Sequence, residues 1–524
     1  MQHVGYSYIE NYLKDKGVKF LPSPWEMTFI DNAQDFEEFY KDIGIDKKFA
    51  GGCFACKLKK GFEFEPLKNW WIFADEAPKT LILHIIVAVI LQPINLFLLK
   101  KVFDNIDKKD VEDYVLEKPT GKYHRKIWFL YEFLTGRTLE IDDLPKKNYI
   151  DLLDNDEYFT APAIKSKRHA INNNLLGNKY FSPVVRKTIG IKVKTNELKQ
   201  RAQKAIKDID PQVIYRAINY LYDKETQDSF TIERVKASPS KLAKFAAILE
   251  SQSVDPMDVT QASLVKLQHS FADERYHDDP YRKTQAFIGG SLDLYSSLSH
   301  SLSRKVDFVC AKPNDIQFLM EGLLDCYNRF LSQEVDPIIA AAVVAFGFVY
   351  IHPFQDGNGR IHRYLIHNLL AKKNFSPKEI VFPISAYMLK NLKEYQKALN
   401  SFSKHFMQVI DYDINKDGLM EVSDDTMDFY LYIDLTAQAS YLFDCIEQTI
   451  ETEFKQEIEY LIKSDEAKIK MQEIVDMPND RQNFFIALAT QNNGKLAKSK
   501  RNQFEELTDE EVAKLESIIQ KYLI

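Results

Sequence analysis

The stretch Asp336–Lys373 reads DPIIAAAVVAFGFVYIHPFQDGNGRIHRYLIHNLLAKK. Asp336 and Pro337 open a helix as N-cap and first-turn residue, because a carboxylate accepts the unpaired first-turn N–H groups and proline has none to leave unpaired. The run Ile338–Ile351 is apolar almost all round, which predicts a helix buried on every side. A second helix begins at or near Arg360, so the loop His352–Arg363 sits between a buried helix and a helix start. Helix starts carry unpaired N–H groups and the positive end of the dipole, a ready anion site. Gly357 and Gly359, on either side of Asn358, let the backbone close around an oxyanion as a nest of N–H groups.

The side chains of this loop narrow the ligand. Arg360 and Arg363 are three apart and rise from neighbouring parts of one helix face. Guanidinium groups pair phosphate oxygens in a fork, and two of them suit a di- or triphosphate better than a monophosphate. Asp356, a hard oxygen ligand beside phosphates, fits Mg2+ held mainly by substrate oxygens and water. His352, neutral near pH 7, can take a proton from an incoming hydroxyl as a phosphorus atom is attacked. Phe354 anchors the loop in the core. Together these residues describe a site for a nucleoside triphosphate with its metal.

The rest of the chain bounds the setting. At 524 residues, with 45% hydrophobic and 28% charged residues, it has the balance of a globular protein of several domains. A net charge of -7 gives no general attraction to nucleic acid or to an anionic membrane. Five cysteines do not suggest a disulfide framework and fit a reducing compartment. Cys53 and Cys56 form a CxxC without a second ligand pair and are expected to be ordinary thiols. The opening MQHVGYSYIENYLKDK lacks a basic stretch followed by an apolar run, so a cytoplasmic location is expected. Leu81–Leu99 is long and apolar, but His84, Gln92, Pro93 and Asn95 interrupt it, which predicts a buried helix pair rather than a membrane span.

Along the chain, residues 1–165 read as an N-terminal domain of mixed character. Residues 166–235 read as a charged, solvated helical connector. In residues 236–405, SPSKLAKFAAILESQSV places Leu242, Phe245, Ala246 and Leu249 at helical spacing. Gly289, Gly290 and the strand-like Val306–Val309 suggest a hairpin flap. Residues 406–524 read as a C-terminal helical module, with a winged helix as one form it could take. Lys495, Lys498, Lys500 and Arg501 make a basic patch there that leaves nucleic-acid contact open.

The loop HPFQDGNGRIHR fills every defining position of the HxFx(D/E)GNGRxxR pattern, and residues 236–405 closely resemble the Fic domain proteins, including the YRKTQAFIGG run from Tyr281. The resemblance implies a mostly α fold: a Fic-type helical core with a short β-hairpin flap between the flanking modules. It further implies a protein adenylyltransferase that moves AMP from ATP, with Mg2+, onto a Tyr, Thr or Ser hydroxyl of a target protein or of itself. His352 would be the general base and Asp356 the magnesium ligand. Asn358 and the backbone at Gly357 and Gly359 would hold α- and β-phosphate oxygens, with Arg360 and Arg363 on the β and γ phosphates. The flap, about Phe287 to Pro313, would align the target segment by strand-like pairing.

Many Fic proteins also carry an inhibitory (S/T)xxxE(G/N) helix whose glutamate pairs the second arginine. Ala246–Ser251 resembles it, with Glu250 at the inhibitory position, Ala246 in place of the hydroxyl and Ser251 in place of Gly or Asn. Tyr387 and Tyr395 lie on one expected helix at i and i+8, and the resemblance points to Tyr395 as lining the adenine pocket. His362 and His367 are read as structural. Transfer of UMP, GMP, phosphocholine or phosphate, or a nucleotide-sensing regulator that binds a partner or DNA, are the competing functions. The target protein and the oligomeric state are not legible in the residues.

Overall fold

The computed structural model describes all residues except 42–48, 61, 63–69, 146–147, 208, 210, 291–304 and 333. The chain is mostly helical, and its N-terminal part is mixed. Strands β1 (Gln2–His3), β2 (Trp25–Ile30), β3 (Cys53–Leu58) and β4 (Trp70–Phe73) pair antiparallel in that order, with α1 (Tyr6–Asp15) and α2 (Ala33–Tyr40) in the connections. Cys53 and Cys56 are three apart on β3 and therefore face opposite sides of the sheet, Cys53 packing near Phe36 and Tyr40, Cys56 near Trp25 and Met27. All five cysteines are free and buried.

The apolar segment forms α3 (Leu81–Leu91) and α4 (Leu96–Asn105), parted at Pro93, and Asn95 Oδ1 caps the second by accepting from Leu98 N at 2.9 Å. No helix among the described residues is long and apolar enough to cross a membrane. Helices α5 (Lys108–Glu117) and α6 (Lys122–Thr135) pack beside them. Strands β5 (Ile150–Asp151), β6 (Ile164–Ser166) and β7 (Ile171–Asn173) then form a small sheet with β7 in the middle.

Residues 166–235 are not the solvated connector their charge suggests. Helix α7 (Ile189–Lys207) keeps an open face, but α8 (Pro211–Ile232) is built into the molecule, burying Leu221, Tyr222, Glu225 and Phe230. Its polar residues have partners instead of water: Glu225 Oε1 lies 2.8 Å from His367 Nε2, and its other oxygen accepts from Ser385 N at 2.8 Å. A paired, hydrogen-bonded carboxylate tolerates burial that a lone one would not.

The central helices follow: α9 (Pro239–Val254), α10 (Gln261–Phe271), α11 (Pro313–Leu331), α12 (Pro337–Ile351), α13 (Asn358–Lys372), α14 (Ile384–Lys390) and α15 (Leu392–Phe406). Helix α12 is buried on all sides, and Asp336 Oδ1 caps it by accepting from Ile338 N and Ile339 N at 2.8 and 3.0 Å. The expected hairpin is present as β8 (Phe287–Gly290) and β9 (Lys305–Val309), with an irregularity in register between Ile288 and Gly289. The flap residues 291–304 lie outside the described residues.

After the small hairpin β10 (Tyr412–Ile414) and β11 (Met420–Val422), helices α16 (Met427–Leu431), α17 (Thr436–Gln448) and α18 (Phe454–Gln472) return to the core. One continuous apolar core runs from Tyr6 to Ile458, so the N-terminal residues share the core of the central helices. A second, small core runs from Met471 to Ile519 around α19 (Asn479–Thr490) and α20 (Asp509–Tyr522). Residues 471–524 contain no strand among those described, and the strands of the expected 406–524 module are β10 and β11 before them. Between α19 and α20 the chain makes a 3-10 turn, Lys498–Phe504, whose Phe504 is buried in the small core. Within the basic patch, Arg501 bonds Asp509 Oδ1 at 2.9 Å and the Leu507 carbonyl at 2.6 Å.

Candidate active site

His352 ends α12 in the left-handed region, φ 56° and ψ 61°, which L side chains adopt only where the surroundings enforce it. Two features enforce it. Arg282, 2% exposed, donates from Nε to the His352 carbonyl at 2.8 Å, and its backbone N–H donates to the Pro353 carbonyl at 3.0 Å. His352 Nδ1 lies 3.1 Å from the Val349 carbonyl, so Nδ1 carries the hydrogen and Nε2 the lone pair. Burial pushes the pKa of this ring down to about 4. The imidazole is therefore neutral at pH 7 and able to accept a proton.

Helix α13 starts at Asn358, two residues before the expected Arg360, with Gly357 as N-cap at φ 92°. A Cβ on Gly357 would meet Phe271 Cε2 at 2.5 Å, so both its angle and its surroundings call for glycine. The N–H groups of Asn358, Gly359 and Arg360 occupy the first turn, where a helix offers no acceptor of its own. The side chain of Asn358 clasps the loop: its Nδ2 donates to the Phe354 carbonyl at 2.6 Å and its Oδ1 accepts from Phe354 N at 3.1 Å. The loop is further held by Asp278, whose Oδ2 accepts from Gln355 N at 2.7 Å.

Both arginines are 1% exposed. Arg360 Nη2 donates to Asp356 Oδ1 at 2.5 Å. Arg363 donates from Nε to Ser229 Oγ at 2.7 Å and from Nη2 to the Ser229 carbonyl at 2.8 Å. Arg360 Nε and Arg363 Nη1 are buried with no hydrogen-bond acceptor among the described residues. Such donors are costly to leave unmade, and a ligand that brings oxygens relieves that cost.

The acid on Arg363 is Glu233, not Glu250. Glu233 Oε1 stands 3.0 Å from Arg363 Nη2, in the turn that ends α8. Glu250 is exposed on α9, where Phe245, Leu249 and Gln252 are the buried residues and the next position after Leu249 turns away from them. Its backbone carbonyl accepts from Ser253 Oγ at 2.8 Å. The sequence held a signal for the correct residue: Ser229–Phe230–Thr231–Ile232–Glu233 keeps the hydroxyl four residues before the acid, which Ala246 lacks before Glu250. Arg282 and Asp278 carried no such signal, because their contacts are to backbone atoms of the distant loop.

Tyr395 lies close to Arg363. It is buried, its ring centroid lies 6.0 Å from that of His362, and burial pushes its hydroxyl up to about 12, an effect partly offset by the nearby Arg363 guanidinium. Tyr387 is on a different helix, since the chain breaks at Asn391 between α14 and α15. His362 and His367 are structural: the first bonds the Ala345 carbonyl at 2.8 Å, the second Glu225. The flap is tied to the loop through Arg282, whose guanidinium also bonds the Thr284 carbonyl at 2.7 Å, just before β8, and the Ala311 carbonyl, just after β9.

Residues 258–370 match the Fic/DOC family. Over 134 residues the chain is 27% identical to the "Protein adenylyltransferase Fic" of Drosophila willistoni, covering 25% of this chain and 23% of that protein. It is 32% identical over 109 residues to the protein of the same name from Culex quinquefasciatus, covering 19% of this chain and 18% of that protein. The chain thus spans less than a quarter of the length of these curated relatives. A Fic family protein of solved structure from Desulfovibrio desulfuricans G20 is 15% identical with a TM-score of 0.39, covering 63% of this chain and 87% of that one, a likeness too loose to add to the geometry. The matched residues are those that carry the loop, its two arginines and the flap, and this part of the chain is similar to the Fic/DOC family.

Proposed function

We propose that this protein is an adenylyltransferase that moves AMP from ATP onto a Tyr, Thr or Ser hydroxyl of a target protein, and onto itself, under restraint by Glu233. One observation carries the reading: a neutral imidazole and two buried arginines with unmatched donors converge on one helix start. The names of the similar proteins point the same way. In this reading the target oxygen attacks the α-phosphorus, its proton passes to His352 Nε2, and the bond from the α-phosphorus to the bridging oxygen breaks to release pyrophosphate. The first-turn N–H groups and the arginines hold the phosphate oxygens before and after that step, so positioning and charge stabilisation supply most of the rate.

Asp356 fits a magnesium site of limited protein contribution. Its side chain is 38% exposed beside the nest, and no group of three or more metal-ligating side chains occurs among the described residues. One carboxylate with phosphate oxygens and water is the usual setting of Mg2+, which would supply charge neutralisation of the polyphosphate. Glu233 on Arg363 occupies a fork that the γ-phosphate would use and repels its charge. The flap strand β8, with Ile288 41% exposed, is the surface for an extended target segment.

The test incubates wild type and His352→Ala with magnesium and ATP labelled at either the α- or the γ-phosphate. Protein labelling from the α position alone, lost in the variant, is the expected result. Labelling from γ would replace AMP transfer by phosphate transfer, and no labelling from either would point to another donor.

A further inference from the structure

Arg360 is flanked by aromatic rings from two helices, and a third ring braces both. Its guanidinium carbon lies 5.0 Å from the ring centroid of Phe230 on α8 and 4.9 Å from that of Phe271 at the end of α10. Phe245 on α9 meets both of these rings edge-on, with centroids 5.7 and 5.5 Å away. All three rings are at most 2% exposed. We infer that Phe230 and Phe271, braced edge-on by Phe245, form an aromatic box that positions Arg360 for the polyphosphate, so the helix that leads into the restraining Glu233 is also part of the binding site. The inference rests on the nucleotide reading of the loop.

The chemistry of arginine explains why a box is useful here. A guanidinium is weakly hydrated for a cation and is attracted to ring faces within about 6 Å of their centroids. A free arginine side chain must give up rotamer entropy when it orders, and rings that hold it beforehand remove that cost from ligand binding. Asp356 takes Nη2, the rings flank the guanidinium, and Nε has no acceptor among the described residues. Phe271 also backs the nest itself, at the contact that excludes a side chain from Gly357. On α8, consecutive residues serve the two arginines: Ser229 accepts from Arg363 and Phe230 stacks on Arg360, while Glu233 one turn on opposes the ligand. Helix α8 thus holds two positioning residues and the turn that ends it one opposing residue, so loss of the helix would impair binding where loss of Glu233 alone would release it.

The test measures MgATP and adenosine binding by calorimetry in Glu233→Gly, alone and combined with Phe230→Leu, Phe271→Leu or Phe230→Tyr. Each leucine variant is expected to weaken MgATP about tenfold and to leave adenosine unchanged, whereas Phe230→Tyr, which keeps the ring, retains the parent's affinity. Equal MgATP affinity in folded leucine variants would overturn the box, as would equal weakening of both ligands, which marks a general disturbance of packing. Should a leucine variant not fold, Phe230→Met in the same background gives the same comparison. If the Glu233→Gly parent itself binds no MgATP, the nucleotide reading fails and the box falls with it; a parent that binds tightly alongside indifferent variants removes the box alone.

Discussion

The carboxylate of Glu233 meets Arg363 at 3.0 Å and at the same time fills the space beside Gly359, where a Cβ would lie 1.9 Å from its Oε1. One side chain therefore covers both parts of the anion site, the second arginine and the glycine of the nest. Under the proposed function, a triphosphate would bring negative charge to the same place and compete with it directly.

Replacement of Glu233 by glycine should raise AMP labelling severalfold, and Glu250→Ala should leave it at the wild-type level. The difference follows from placement alone, since Glu250 is exposed on another helix. Labelling with α-labelled ATP under magnesium reads both variants, and stimulation by the Glu250 change would reverse the assignment.

Arg282→Lys should destabilise the protein by about 3 kcal/mol, because buried hydrogen bonds from a charged donor are lost and their carbonyl partners are left unmatched. A lysine cannot span the His352, Thr284 and Ala311 carbonyls that the guanidinium joins. Urea unfolding reads the stability. In the remaining folded protein, transfer to a target should fall more than MgATP affinity, because the contact links His352 to the flap and leaves the arginines alone.

Acid should weaken the fold through two histidines. Burial lowers His352 to about 4 and His362 to about 3, from an ordinary 6.5. As pH falls below 6.5 the unfolded chain takes up these protons and the folded chain does not, so stability is complete above that value and declines toward pH 3 to 4. His362→Asn should show a smaller loss of urea midpoint between pH 7 and pH 5 than wild type does, even if it starts lower. An identical loss would remove His362 as a source of the acid sensitivity.

The sequence by itself determined the buried helix α12, the hairpin of the flap and the loop His352–Arg363. In each case the decisive contacts are between residues close in the chain, where backbone geometry turns spacing into position: an apolar run becomes a buried cylinder, and glycines beside a helix start become a nest. Tertiary structure alone decided which acid meets Arg363, because Glu233 lies 130 residues upstream and Glu250 belongs to a different helix, α9. It also decided that Arg282 links the loop to the flap, that rings from α8 and α10 flank Arg360, and that α8 of the charged segment is built into the core. Local periodicity tells which face of a helix is apolar, but not which helix that face will meet, and these contacts exist only once the faces have packed.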